Sequence, residues 1–318
     1  MSERKISVII PTRNETGKIE QCLKAVFSQS LKPYEVIIVD GHSTDETTQR
    51  AKNFPVKILY EDFGGRAGAC QIGIENAQGD YVAFTDADCI PSRNWLEQLL
   101  NEFGSQIVGV GGGVKSIGDT LWEKSFNLAF NSFLGSARSL QGRFFVNNRF
   151  VNSISGSNSM YLKEDILAVG GFNTNLKGAE DLELNRRLLS KGKLLYTPKA
   201  VVIHSHSWTF KEFAKKMYRY GKERGIVKKR DLQIIPALVF PLLLLSLLFT
   251  PWIIIGTVCV YLLTITLTGL RFAAREKIGK LVVSIPVTYL VEHVFYSFGL
   301  WQGWIQSLFV NLPSKNKR

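Results

Sequence analysis

From Leu232 to Leu270 no residue is charged. A stretch of that kind is about twice what one helical bilayer crossing needs, and no small soluble core hides it easily. Pro236, Pro241 and the Thr250-Pro251 break divide it into two helices joined by a short turn. A third apolar stretch, Leu281 to Val310, is interrupted only by Glu292 and His293. It reads either as one tilted span or as a span followed by an interfacial helix carrying Trp301 and Trp304. Residues 232–318 are therefore expected to form a transmembrane region of two to three spans. Lys228, Lys229 and Arg230 precede the first span, and Arg271, Arg275, Lys277 and Lys280 follow the second. Both flanks are then expected on the cytoplasmic side, with the hairpin tip outward. Met1 to Lys5 leads straight into a strand pattern without an apolar targeting segment, so the first 230 residues are expected to stay in the cytoplasm.

The formal net charge of +12 raises the question of nucleic acid. Its location answers it. Residues 211 to 230 hold nine Lys or Arg and two Glu, immediately before the apolar run. Anionic lipid headgroups explain such a cluster better than nucleic acid, for which no binding motif accompanies the charge. Membrane lipids are the expected partner. Cys22, Cys70, Cys89 and Cys259 lack disulfide or metal spacing and suit a reducing compartment.

The first 115 residues alternate strands and helices. Ile6 to Ile10 reads as a buried strand stopped by Pro11, followed by Ile19, Cys22, Leu23, Val26 and Phe27 at helical spacing. Glu35 to Val39 is a second strand, and Ser43 with Glu46 matches a capping box for the next helix. Val56 to Tyr60 is a third strand before Gly64-Gly65-Arg66 and a short helix ending at Gly79. A fourth runs through Tyr81-Val82-Ala83-Phe84. This order predicts right-handed crossovers and a mainly parallel sheet, with ligands beyond the carboxyl ends of the strands. Thr12, Arg13, Asn14 and Glu15, then Asp40 and Ser43, Arg66, and finally Asp86 and Asp88 should line that edge. The glycines of a dinucleotide fingerprint and of a P-loop are missing there.

Asp86-Ala87-Asp88 closes the fourth strand. In an extended chain the two carboxylates point the same way and together suit Mg²⁺ or Mn²⁺, which complete their shells with water and phosphate. A diphosphate is the expected companion.

Further along, Ile107 to Gly113 is a strand losing its side chains, either for close approach to a ligand or as a flexible turn. Trp122, Phe126, Ala129, Phe130, Phe133, Leu134 and Ala137 form a helical stripe, for core packing or for a helix on the membrane surface ahead of Arg138, Arg143 and Arg149. Glu180, Asp181 and Glu183 open a helix, which by itself is ordinary dipole complementation. His204 and His206 close the Ala200–Ile203 strand, where either could complete a metal shell or simply cap a strand end with a hydrogen bond. Phe210, Phe213, Met217 and Tyr220 make the apolar side of a basic juxtamembrane helix within 209–231.

Four ordered motifs, Pro11-Thr12-Arg13-Asn14-Glu15, Val39-Asp40-Gly41-His42-Ser43-Thr44-Asp45, Gly79-Asp80-Tyr81 leading into Asp86-Ala87-Asp88, and Glu180-Asp181-Leu182-Glu183-Leu184, resemble the inverting family 2 glycosyltransferases. The resemblance spans residues 5 to about 225. It implies the A-type α/β fold, with 1–115 as the nucleotide-sugar-binding half and 116–208 as the acceptor half of one domain. It implies a nucleotide-diphosphate sugar and a divalent metal, with Pro11, Thr12, Glu15, Asp40 and Asp86 toward the nucleoside, Asp88 on the metal, and Asp181, beside Glu180, as catalytic base. Arg13, Ser43 and Arg66 complete the expected donor site, and His204 the metal site. Relatives often carry Ala-Arg-Asn where this chain has Ala69-Cys70-Gln71, a gap that Arg66 can fill. The Gln/Arg-x-x-Arg-Trp signature of polymer-making relatives is absent, with Tyr218-Arg219-Tyr220-Gly221 near its place, so addition of a single sugar is expected. A lipid-linked acceptor, either a polyprenyl phosphate or a growing lipid-linked glycan, follows from the spans and the basic belt. The alternatives are a soluble or protein acceptor with the helices only an anchor, or a non-catalytic scaffold.

Overall fold

The computed structural model describes residues 4–62, 64–136, 145–205, 208–227, 234–235, 237–238 and 251–308. Two compact units result: Met1–Ser116 with Arg143–Ser205, and Ile117–Gly142 with His206–Arg318. Residues 117–142, expected in the acceptor half, thus group with the C-terminal helices. Most of the first expected span, the basic residues 228–230, Arg138, Arg143 and His206 lie outside the described residues.

The first unit is an α/β domain on a nine-stranded mixed sheet, ordered β3-β2-β1-β4-β8-β6-β9-β5, with β7 beside β9. Its strands are β1 Ile6–Thr12, β2 Glu35–Asp40, β3 Lys57–Tyr60, β4 Tyr81–Phe84, β5 Cys89–Pro91, β6 Ile107–Ile117, β7 Arg149–Val151, β8 Ser159–Leu162 and β9 Lys193–Ser205. From β3 to β4 the strands are parallel; β8 runs antiparallel to β4, and β5 to β9. The helices are α1 Ile19–Phe27, α2 Thr47–Ala51, α3 Arg66–Asn76, α4 Trp95–Leu100, α7 Lys163–Ala168 and α8 Glu180–Leu188.

β1 and β2 are buried on both faces, as parallel strands covered by helices must be. On one face Val8, Ile10, Val36 and Ile38 meet Ile19, Cys22, Leu23 and Val26 of α1. Each such side chain removed from water stabilises the fold by roughly 1.5–3 kcal/mol. On the other, α3 comes so close that a Cβ on Gly73 would fall 2.4 Å from Ile9 Cγ2.

β1 runs through Pro11 to Thr12 rather than stopping at the proline, and pairs Thr12 with Asp40 of β2. Pro11 is tolerated because pairing with β4 has already ended at Ile9–Phe84, leaving the strand paired on one side. The glycines of β6 lie within a strand and not in a flexible turn. A Cβ on Gly112 would fall 1.9 Å from the Ala200 carbonyl oxygen, so the glycine lets neighbouring backbone approach.

The second unit contains α5 Leu121–Phe130, α6 Phe133–Ser136, α9 Phe210–Ile226, α10 Pro251–Glu276 and α11 Leu281–Gln306. The expected stripe from Trp122 to Phe133 is broken at Asn131–Ser132 into α5 and α6, because Ser132 turns its hydroxyl back to the Ala129 carbonyl; Ala137 lies outside the described residues. Phe126 stacks flat on Phe213 of α9 at 4.0 Å between ring centroids, which settles that part of the stripe as packing. α10 and α11 are both long and apolar enough to cross a membrane.

Candidate active site

The loop after β1 and the loop after β2 are tied together by side chains. Ser43 Oγ donates to Asp40 Oδ1 at 2.5 Å, and the Ser43 amide donates to Asp40 Oδ2 at 2.8 Å. The Asn14 amide donates to Ser43 Oγ, and the Glu15 amide to Thr47 Oγ1 at 2.7 Å. Ser43 is therefore no helix cap. Its hydroxyl is committed to Asp40, and α2 begins only at Thr47, so the expected capping box does not form. Asp40 is buried at the end of β2 with Thr12 beside it. Arg13 is exposed and lays its stem against Gly41. Glu15 is half-buried; burial and the nearby Asp88 carboxylate raise it above the ordinary carboxylate range.

Asp86 and Asp88 take different partners. They sit in a turn closed by the Cys89 amide on the Asp86 carbonyl, not in an extended strand, so the i, i+2 rule fails. Asp86 faces Arg66, and Asp88 faces the imidazole of His204. The Asp88 Oδ2 to His204 Nε2 distance is 2.9 Å, with both side chains about one-fifth exposed. Cross-strand pairing of Cys89 with His204 sets that distance. Ligand atoms of Asp88, Cys89 and His204 lie within 4.8 Å of one another. Cys89 was not expected there. With no cation beside it, burial, then Asp86 and Asp88, push its thiol well above the ordinary range. The Asp88 carboxylate and the His204 imidazole supply an oxygen–nitrogen pair suited to Mn²⁺ and compatible with Mg²⁺. The residues present fit a divalent cation that keeps open positions for phosphate.

Arg66, the first residue of α3, joins the donor rim to the acidic helix. Nε donates to Asp86 Oδ1 at 2.9 Å, Nη1 to Glu180 Oε1 at 2.7 Å, and Nη2 to the Gly156 carbonyl at 2.8 Å. It lies one helical turn before Cys70. Gly156 in turn donates its amide to Asp181 Oδ2 at 2.9 Å, a contact invisible in a Ser-Gly-Ser-Asn string.

Glu180, Asp181 and Glu183 open α8, where they complement its dipole, and all three are buried. Glu183 is structural: Arg187 grips both its oxygens and donates to the Gly171 carbonyl at 2.7 Å. Asp181 is different. Burial and then Glu180 push its carboxyl up to about 6, against the pull of Arg66 and two backbone amides. A carboxyl poised near neutrality can take a proton from an attacking hydroxyl. Asn158 follows Gly156 in the same small-residue loop. It accepts from Trp95 Nε1 and donates to the Gly113 and Ala200 carbonyls, fixing the strands beneath the rim.

A parallel half-sheet whose rim carries Asp40, Asp86, Asp88 and a poised Asp181 defines a nucleotide-sugar-transferase class of fold and site. The profile of Glycosyl transferase family 2 matches residues 7–169. The chain belongs to that family, and it is an inverting, nucleotide-sugar-dependent glycosyltransferase with the A-type fold. It is 28% identical to a dolichyl N-acetyl-alpha-D-glucosaminyl phosphate 3-beta-D-2,3-diacetamido-2,3-dideoxy-beta-D-glucuronosyltransferase of Methanococcus voltae, over 95% of this chain and 97% of that protein. It is 31% identical to glycosyltransferase AglE of Haloferax volcanii, over 68% and 72% of the two chains. Among solved structures, the mannosyltransferase PcManGT from Pyrobaculum calidifontis, in complex with GDP-Man and Mn²⁺, aligns with a TM-score of 0.60 at 18% identity. That alignment covers 95% of this chain and 88% of that one, a likeness of fold.

Proposed function

We propose that this enzyme is membrane-anchored and transfers one sugar from a nucleotide-diphosphate sugar to a hydroxyl of a lipid-linked glycan at the cytoplasmic face. The observation that carries this is the poised Asp181 carboxyl, linked through Gly156 and Arg66 to the donor rim. An acceptor that is already a phosphate anion needs no base; a hydroxyl does. The name of the Methanococcus relative, which acts on a dolichyl-phosphate-linked sugar, supports the same acceptor class.

In this reading Thr12, Asp40 and Ser43 form the wall for the nucleoside, while Pro11 sets the direction of the strand end. Asp88 and His204 hold a divalent cation, whose charge when bound offsets the negative charge building on the departing diphosphate. Arg66 keeps Asp86 and Glu180 in place. Asp181 accepts the hydroxyl proton as its oxygen attacks the anomeric carbon from the face opposite the leaving group, and one displacement inverts that centre.

The experiment is an assay of the full-length protein with candidate nucleotide sugars, with products read by mass spectrometry on lipid-linked and on water-soluble acceptors. Transfer to the lipid-linked acceptor alone supports the proposal. Equal transfer to a soluble acceptor sinks the lipid reading, and unaltered turnover by Asp181→Asn sinks the assignment of the base.

A further inference from the structure

We infer that the helix Leu281–Gln306 does not cross the bilayer but lies along its surface, paired with α9 as one platform for anionic lipid headgroups. This rests on the membrane anchoring proposed above.

The two helices touch backbone to backbone. A Cβ on Gly221 of α9 would fall 2.0 Å from the Tyr296 carbonyl oxygen, and one on Gly225 would fall 2.6 Å from that of Leu300. The seam is reciprocal. On α11, a Cβ on Gly299 would fall 1.9 Å from the Tyr218 carbonyl oxygen, and one on Gly303 2.0 Å from that of Lys222. Small residues four apart on both partners permit this approach. Tyr218 adds a hydrogen bond to Gln302. Where the second half of α11 goes, α9 must go too.

α9 cannot enter hydrocarbon. It carries Lys211, Glu212, Lys215, Lys216, Arg219, Lys222, Glu223 and Arg224, and Lys211, Lys215 and Arg219 form an exposed row four residues apart. Charged side chains at bilayer depth are expensive, and lysine and arginine prefer the headgroup layer. If α9 stays in that layer, only Leu281–Phe295 is left for a crossing by α11. Fifteen helical residues reach about 22 Å, short of a hydrocarbon core of about 30 Å. Glu292, buried, and His293, bonded through Nδ1 to Tyr261 Oη at 2.9 Å, lie within even that piece.

The outer face of α11 fits a bilayer surface. Val283, Leu290, Phe298 and Ile305 are exposed and recur at seven or eight residues, which puts them on one side of the helix. An apolar stripe on α11 together with a lysine and arginine row on its partner α9 is the composition of a helix pair lying in the interface. Charge distribution agrees. Arg275, Lys277 and Lys280 precede α11, and Lys315, Lys317 and Arg318 follow it. If α11 crossed, one of these basic groups would lie on the outer side, against the usual bias; if it does not, both stay on the side of α9.

The test uses the full-length chain in vesicles of phosphatidylcholine and phosphatidylglycerol, with exposed Cys259 replaced by serine. Spin labels are placed singly through Val283→Cys, Leu290→Cys, Phe298→Cys, Ile305→Cys and, on α10, Leu263→Cys, and depth is read from oxygen against nickel-complex accessibility. The four α11 labels are expected at one shallow depth and the Leu263 label deep. A depth profile running through the bilayer over the about 33 Å between positions 283 and 305 would overturn the inference alone. Four aqueous α11 labels beside a deep Leu263 label would also overturn it, since something other than lipid would then cover that face. An aqueous Leu263 label would overturn the membrane anchoring itself, and this inference with it. Separately, Asn316→Cys and Lys211→Cys should react with an impermeant maleimide from the same side; reaction from opposite sides overturns the inference.

Discussion

The carboxylate of Asp88 lies 2.9 Å from His204 Nε2 across 116 residues of chain. β5 and β9 bring them together antiparallel, with Cys89 opposite His204. If this pair grips the cation, Asp88→Asn and His204→Ala should each weaken Mn²⁺ binding by more than the roughly 10- to 100-fold typical of losing an outer partner of a metal ligand. Calorimetric titration of Mn²⁺ with a non-transferable donor analogue measures it. Unchanged affinity in both variants refutes the metal pair.

Asp181 should leave its mark on the pH profile. A base must be ionised to act, and its carboxyl is raised to about 6, so kcat/KM should fall as pH drops through about 6 and level off above it. Asp181→Asn should lose that acidic limb together with about 10²- to 10⁴-fold of rate. A wild-type profile flat from pH 5 to 8 would remove the base from the mechanism.

Arg66 stands between two carboxylates and a carbonyl, with its side chain three-quarters hidden from water. Arg66→Ala leaves the buried Glu180 and the partly buried Asp86 uncompensated, at an expected loss of about 3 kcal/mol. Arg66→Lys should recover little of it, since an ammonium cannot reproduce the fork. Urea denaturation midpoints of the three proteins decide the matter, and a stable Arg66→Ala variant contradicts this account.

Gly112→Ala is a test of packing alone. With 1.9 Å between the new Cβ and the Ala200 carbonyl oxygen, β6 and β9 must move apart. A loss of about 1–3 kcal/mol is expected, from the usual cost of overpacking, with the metal affinity per folded molecule retained. A midpoint equal to wild type would mean that the glycine run serves something else.

Much of the first unit was legible in the chain. Ile6–Ile10, Glu35–Val39 and Tyr81–Phe84 read as strands because buried parallel strands are continuous apolar runs, and the polar residues after them had to fall on one edge. The local rules failed where a tertiary partner outbid them. Ser43 looked like a helix cap and became a partner of Asp40, and Asp86 and Asp88 looked like one converging pair and took separate partners, Arg66 and His204.

The motifs after the strands, their order and the charge-free run were determined by sequence, because each depends on residues a few positions apart. Three things were decided only in three dimensions: the pairing of Asp88 with His204, the reach of Arg66 to both Asp86 and Glu180, and the burial that lifts Asp181. Each depends on distance and desolvation between segments far apart in the chain. A string of residue types carries neither quantity until the sheet closes around it.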